Sequence, residues 1–192
     1  MKIVKYLLFF SSLAFLLMQV KIYGQTTDSI TDSRDRQVYR TVQIGEQTWL
    51  AENMNYVSEN SWCYDNNSSL CITYGRLYDW ESAKLACPNG WRLPSKSDFE
   101  TLLSNVGGSG NNAFHALRDG GSSGFNAYTG GWRNNTGEFN NIESYGFWWS
   151  ATEFPGNVVS YLNIDNDGRN IRVYEDYEGE WGFSVRCILD KN

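Results

Sequence analysis

Histidine and closely spaced cysteines are nearly missing from this 192-residue chain: His115 is the single histidine, and none of the four cysteines forms a C-x-x-C pair. Structural zinc needs clustered thiolates or imidazoles, so a zinc site is excluded. A hydrolytic triad fares no better. The one histidine lies within Ala113-Phe114-His115-Ala116-Leu117, which reads as part of a short helix, and no serine is presented on a strand-to-helix elbow. Basic residues are also few. Sixteen lysines and arginines oppose 22 acidic residues for a net charge of −6, with no basic patch or stripe. Binding to the phosphate backbone of a nucleic acid is therefore excluded.

Long apolar runs are confined to one place. Residues 6–20 are almost wholly apolar, with Lys2 and Lys5 before them and a polar stretch from Gln25. That pattern predicts an export signal over residues 1–24, too short and too quickly polar for a good membrane anchor. No transmembrane segment is expected after its cleavage, and no cysteine near that point offers a lipid attachment site. The destination is outside the cytoplasm: secreted, periplasmic or cell surface. Losing Lys2, Lys5 and Lys21 leaves 13 basic against 22 acidic residues. The remaining length suits one domain with a substantial core.

All four cysteines fall in the exported part, where disulfides are the default. Four cysteines allow three pairings. Tyr64-Asp65-Asn66-Asn67-Ser68-Ser69-Leu70 is a polar, turn-forming loop that favours Cys63–Cys71, which leaves Cys87–Cys187. In the chain-entropy account the long loop contributes about 4.7 kcal/mol and the short one about 2.6 kcal/mol.

Residues 25–40 are rich in Thr, Asp, Ser and Arg and read as a disordered, solvated linker, so the domain is expected over residues 41–190. Residues 41–44 and 47–50 around Gly45-Glu46 form a hairpin signal. Two early helices are predicted: one across Leu77, Trp80, Ala83 and Leu85 ending at Pro88, and one from Ser95 through Phe99, Leu102, Leu103 and Val106. A shorter helix is expected over residues 112–118. Residues 120–146 form a long Gly/Ser/Asn-rich loop region carrying scattered aromatics, a frequent place for function. Strands are predicted at 146–152, 158–164, 170–174 and 183–189. Early helices and late short antiparallel strands predict an α+β fold.

Candidate binding residues come from the long loop and the strands after it. Trp132, beside Arg133, suits stacking on a sugar or docking on a protein; equally, it could pin the glycine-rich loop. Trp148 and Trp149 are adjacent in a strand, so one should face inward and one outward, with Trp149 the binding candidate. Glu153 and Asn157 of Glu153-Phe154-Pro155-Gly156-Asn157, and Asp165 and Asp167, add polar groups. Asn163-Ile164-Asp165-Asn166-Asp167-Gly168 matches the first half of a calcium loop. Its twelfth position is Tyr174 rather than a bidentate glutamate, so calcium is not supported and an Asp-Gly hairpin turn is the better account.

Several motifs stand together in order. They are Thr41-Val42-Gln43-Ile44-Gly45-Glu46-Gln47-Thr48-Trp49-Leu50-Ala51-Glu52-Asn53-Met54-Asn55, Tyr74-Gly75-Arg76-Leu77-Tyr78-Asp79-Trp80, Cys87-Pro88-Asn89-Gly90-Trp91-Arg92-Leu93-Pro94-Ser95, Trp148-Trp149-Ser150-Ala151-Thr152 and Ser184-Val185-Arg186-Cys187. Together they resemble the Fibrobacter succinogenes major paralogous domain, over about residues 41–190. The resemblance implies an exported or surface protein of the kind found largely in Bacteroidetes and Fibrobacteres, and little about activity. The Arg92-Leu93-Pro94-Ser95 turn and the Ser184-Val185-Arg186-Cys187 ending are also similar to the C-type-lectin-like and formylglycine-generating-enzyme-like scaffolds, an analogy of scaffold only. The Glu-Pro-Asn signature of sugar-binding lectins is absent, and the thiols that formylglycine-generating chemistry needs are committed to disulfides. The expectation is a non-catalytic binding module without cofactor. Its partner would be a glycan or an envelope or surface protein, with a structural or adhesive envelope domain as the alternative and a formylglycine-generating-like or other enzyme less favoured.

Overall fold

The structure, a computed structural model, describes residues 28–168, 170–176 and 180–191. The expected export segment at residues 1–24 lies outside the described residues.

The chain opens with a three-strand meander. β1 (Asp28–Thr31) pairs antiparallel with β2 (Val38–Ile44), which pairs with β3 (Gln47–Leu50). Then come β4 (Ser61–Trp62), a 3-10 turn at Tyr64–Asn66, α1 (Ser68–Tyr74), β5 (Leu77–Tyr78), α2 (Trp80–Ala86) and β6 (Trp91–Arg92). α3 (Lys96–Asn105) and α4 (Asn111–Leu117) follow, and β7 (Trp132–Arg133) pairs with β8 (Phe139–Asn140). A long meander of β9 (Tyr145–Phe154), β10 (Val158–Asp165) and β11 (Ile171–Asp176) precedes the closing β12 (Phe183–Ser184) and β13 (Ile188–Leu189).

Among the described residues these thirteen strands form three sheets, ordered β1-β2-β3-β13-β6, β11-β10-β9-β12-β5-β4 and β7-β8, against only four short α-helices. The α+β, C-type-lectin-like expectation is therefore overturned: the protein is β-rich. Seven of its strands (β4, β5, β6, β7, β8, β12 and β13) are only two residues long, too short for any local periodicity to reveal them, and all but the β7–β8 hairpin pair with strands well removed along the chain.

Two further expectations need correction. Residues 28–40 are not a disordered linker, because β1 and β2 pair from Asp28 opposite Thr41 to Thr31 opposite Val38. β1 is polar because it is an exposed edge strand held by backbone bonds, and Asp32 after it is fully buried under Arg34. Nor is 183–189 one strand. β12 joins the six-stranded sheet, parallel to β9 and antiparallel to β5, whereas β13 joins the other sheet between β3 and β6. The residues between them, Val185, Arg186 and Cys187, cross from one sheet to the other fully buried.

Both predicted early helices are present, but the first begins at Trp80, and Leu77, expected inside it, belongs to β5. Asp79 caps α2 by accepting from the Ser82 amide at 2.8 Å, and the helix ends ahead of Pro88. α3 starts with a capping box in which Ser95 and Asp98 bond each other's backbone amides, and it buries Phe99, Leu102 and Leu103. Its apolar face joins Val42, Trp49, Phe125, Trp148 and Leu162 in one core; Leu50, Met54, Trp149, Tyr161 and Phe183 build a second. Trp148 and Trp149 do point to opposite faces of β9, but each face carries a core and both rings are fully buried. Each such ring removes on the order of 200 Å² from water, about 5 kcal/mol before entropy is counted.

The two cores meet at Asn53. Its carbonyl oxygen accepts from the Trp148 indole at 2.8 Å and from Arg186 Nη2 at 2.6 Å, while its amide nitrogen donates to the carbonyls of Tyr74 and Tyr128 at 2.8 and 3.2 Å. Gly75 packs against it; a Cβ there would lie 2.7 Å from the Met54 carbonyl, at a φ of +72°. Arg186 also donates to the carbonyls of Leu50, Phe125 and Asn126. Disulfides join Cys63 to Cys71 and Cys87 to Cys187, as expected, with Cα separations of 5.2 and 5.8 Å.

Candidate functional site

A cleft of about 440 Å³ opens at one end of the six-stranded sheet. One wall is the edge strand β4 with its neighbour: Asn60 and Trp62, then Asp79, Trp80 and Glu81 at the start of α2. The opposite wall is the end of β9 and its turn into β10, which bring Glu153, Asn157 and Val159, and Glu180 completes the rim.

Two tryptophans shape it. Trp80 is locked by its indole N–H, which donates to the Ser150 carbonyl at 2.8 Å, and Lys84 Nζ sits 4.0 Å over its ring. Trp62 is half-buried, and the Arg133 guanidinium covers it at 4.1 Å. Close approach of that loop depends on Gly182, where a Cβ would lie 3.1 Å from the Arg133 Cβ and 3.4 Å from the Trp62 ring. Among the described residues, the side chains of Asn60, Glu153, Asn157 and Glu180 have no hydrogen-bond partner. Those four side chains face solvent, whereas Asp79 and Glu81 are engaged with the Ser82 amide and Lys84.

The seven binding residues expected from sequence do not form one site. Glu153 and Asn157 line the cleft. Arg133 braces it from behind Trp62, and Trp132 packs flat on Trp181 with ring centroids 4.5 Å apart, so it pins the loop. Trp149 is fully buried, its indole donating to the Tyr78 carbonyl at 2.7 Å, and cannot reach a ligand. Asp165 and Asp167 line a separate cleft with Glu143 and Tyr145. Register explains the separation: Val159 pairs with Glu153 at one end of β9 and Asp165 with Tyr145 at the other, about 25 Å apart along the strand. Burial first, then the neighbouring Asp167 charge, pushes the Asp165 carboxyl pKa upward.

Asn60, Trp62, Asp79, Trp80, Glu81 and Glu180 were not expected at a binding site. Trp62 stands next to Cys63, and that adjacency was the one local sign of a fixed, partly open ring. Among the described residues no three His, Cys, Asp or Glu side chains are grouped to hold a metal. Gly120-Gly121-Ser122-Ser123-Gly124 has the spelling of a nucleophile elbow, but it follows α4 rather than a strand and leads into the core at Phe125 with no helix after it. All four cysteines are paired, and no described helix is long and apolar enough to cross a membrane.

Fold and cleft define a disulfide-braced, β-rich domain with an aromatic, acid-lined cleft at one sheet end. The chain belongs to the Fibrobacter succinogenes major domain family, whose family model matches residues 42–189. No curated protein and no solved structure matches it. The motifs that carry the family resemblance fall mainly in the core. Trp49, Asn53, Gly75, Trp148, Arg186 and Cys187 build the buried junction, while Trp62, Glu153 and Asn157 lie outside those motifs.

Proposed function

We propose that this protein is an exported, non-catalytic binding module that holds a glycan in the cleft between Trp62 and the β9–β10 turn. The observation that carries this reading is Trp62, a half-buried ring held in place by Arg133 and surrounded by unengaged amide and carboxylate side chains. An immobilised indole offers a sugar ring an apolar face at little entropic cost, and neighbouring amides and carboxylates take its hydroxyls. Two disulfides and the export signal read from residues 1–24 agree with work outside the cytoplasm. Of the surface expected over residues 120–146 and 153–170, this reading keeps Glu153 and Asn157 and moves the rest to the cleft that the 120–146 loop supports.

The test is a glycan array probed with the purified protein and its Trp62→Ala variant. Trp62→Ala should lose at least ten-fold in affinity with its unfolding transition little changed, whereas Asp165→Asn, in the other cleft, should bind as the parent does. Equal binding by Trp62→Ala rejects the site; turnover of a bound glycan rejects the non-catalytic reading.

A further inference from the structure

The charge of the cleft narrows the ligand. Four carboxylates line it, from Asp79, Glu81, Glu153 and Glu180; among the described residues no lysine or arginine lines it, and Lys84 stands over the Trp80 ring at its rim. Asp79 already spends one oxygen on the Ser82 amide, and Glu81 pairs with Lys84 at 2.7 Å. Glu153 and Glu180 are exposed at the cleft and have no ion-pair partner among the described residues. An anionic sugar would be repelled here. A neutral sugar would dehydrate the carboxylates without giving them a countercharge.

The protein itself displays the complementary chemistry. The Lys84 ammonium rests 4.0 Å over the Trp80 ring and 2.7 Å from the Glu81 carboxylate, so a cation at this rim gains a ring face and a charge partner together. The Trp80 ring cannot swing away, because its indole N–H is bonded to the Ser150 carbonyl. Lys84 is exposed and can yield that place or share it.

We infer that the ligand is a basic glycan, one whose sugars carry free amino groups. This rests on the glycan-binding reading above. Trp62 and the amides of Asn60 and Asn157 take the ring and hydroxyls; Glu153 and Glu180 pair with the protonated amine. A lysine-rich peptide shares the amine but makes no use of a flat ring bordered by amides.

Calorimetry with two hexasaccharides of equal length, one of glucosamine and one of N-acetylglucosamine, tests the inference under mildly acidic conditions that keep the amine protonated. The glucosamine hexamer should bind about ten-fold tighter, the value of one well-placed charged pair, and the difference should shrink as salt is raised. Glu153→Gln should weaken the glucosamine hexamer several-fold more than it weakens the acetylated one, because only the former loses a charge partner as well as a hydroxyl acceptor. Equal affinity for the two hexamers, with both lost in Trp62→Ala, overturns the basic-glycan inference and leaves the glycan reading standing. Binding of neither hexamer, with hexalysine bound instead, overturns both.

Discussion

At the scale of single residues the most connected side chain is Asn53. Only one orientation of its amide serves all its neighbours, with oxygen toward two donors and nitrogen toward two carbonyls. Arg186 depends on it, because no carboxylate pairs with that fully buried guanidinium among the described residues, and burial pushes its pKa downward. Four carbonyl-type acceptors and the face of Phe125, 4.4 Å away, serve its two terminal nitrogens, while its buried Nε has no partner among the described residues. Asn53→Ala should therefore leave the Trp148 indole unpaired, strip Arg186 Nη2 of one of its two acceptors while the Asn126 carbonyl remains, and cost about 3–5 kcal/mol. Asn53→Asp keeps the acceptor and adds a countercharge, but turns an oxygen toward the Tyr74 and Tyr128 carbonyls, so it should cost less than Ala and more than nothing. Urea midpoints of the three proteins check the order, and an alanine variant within 1 kcal/mol of the parent contradicts it.

At the scale of elements α3 shows how a sequence signal becomes a pH response. Burial raises the Asp98 pKa, but hydrogen bonds from Arg92 and Ser95 outweigh it and hold the carboxyl below its ordinary value of 3.8. Asp32 is lowered in the same direction, chiefly by its hydrogen bond to Arg34. A depressed carboxylate contributes its full stability above its unfolded value and loses it as pH falls through the folded one. The parent protein should hence be stable at neutral pH and weaken below about pH 4. Asp98→Asn should lose ~1–2 kcal/mol at neutral pH and respond less to acid, read from urea midpoints at neutral and acidic pH. An unchanged acid response in Asp98→Asn argues against this origin. The Ser95 box and the Phe99–Val106 stripe were legible because each is a contact within a few residues. The split between β12 and β13 was not, because what divides them is pairing with β9 and β5 on one side and β3 and β6 on the other. β1 escaped for a related reason: an edge strand needs backbone partners more than apolar side chains, so its composition resembles a linker.

At the scale of the whole molecule the cleft was half legible. Glu153 and Asn157 stand in a turn that invites attention, but Trp62 and Trp80 reach them from far back in the sequence through β4 and β5 at the sheet edge. The two disulfides divide their work along the same line. Cys87–Cys187 ties the end of α2 to the crossing between β12 and β13, where the Cys187 carbonyl also accepts from the Leu50 amide at 3.0 Å, and it spans 100 residues. Cys63–Cys71 spans 8 residues beside Trp62, and Arg76 lies 3.4 Å from its Cys63 sulfur while donating to the Ser61 carbonyl of β4 at 2.7 Å. Replacing Cys87 and Cys187 together by alanine should cost about 4.7 kcal/mol of stability, and replacing Cys63 and Cys71 about 2.6 kcal/mol. Glycan affinity should follow the opposite order, because the short bond fixes the segment that carries Trp62 while the long one lies away from the cleft. Paired urea and calorimetric titrations of the two double variants distinguish these effects. If binding falls in proportion to stability in both, the short disulfide has no separate part in shaping the cleft.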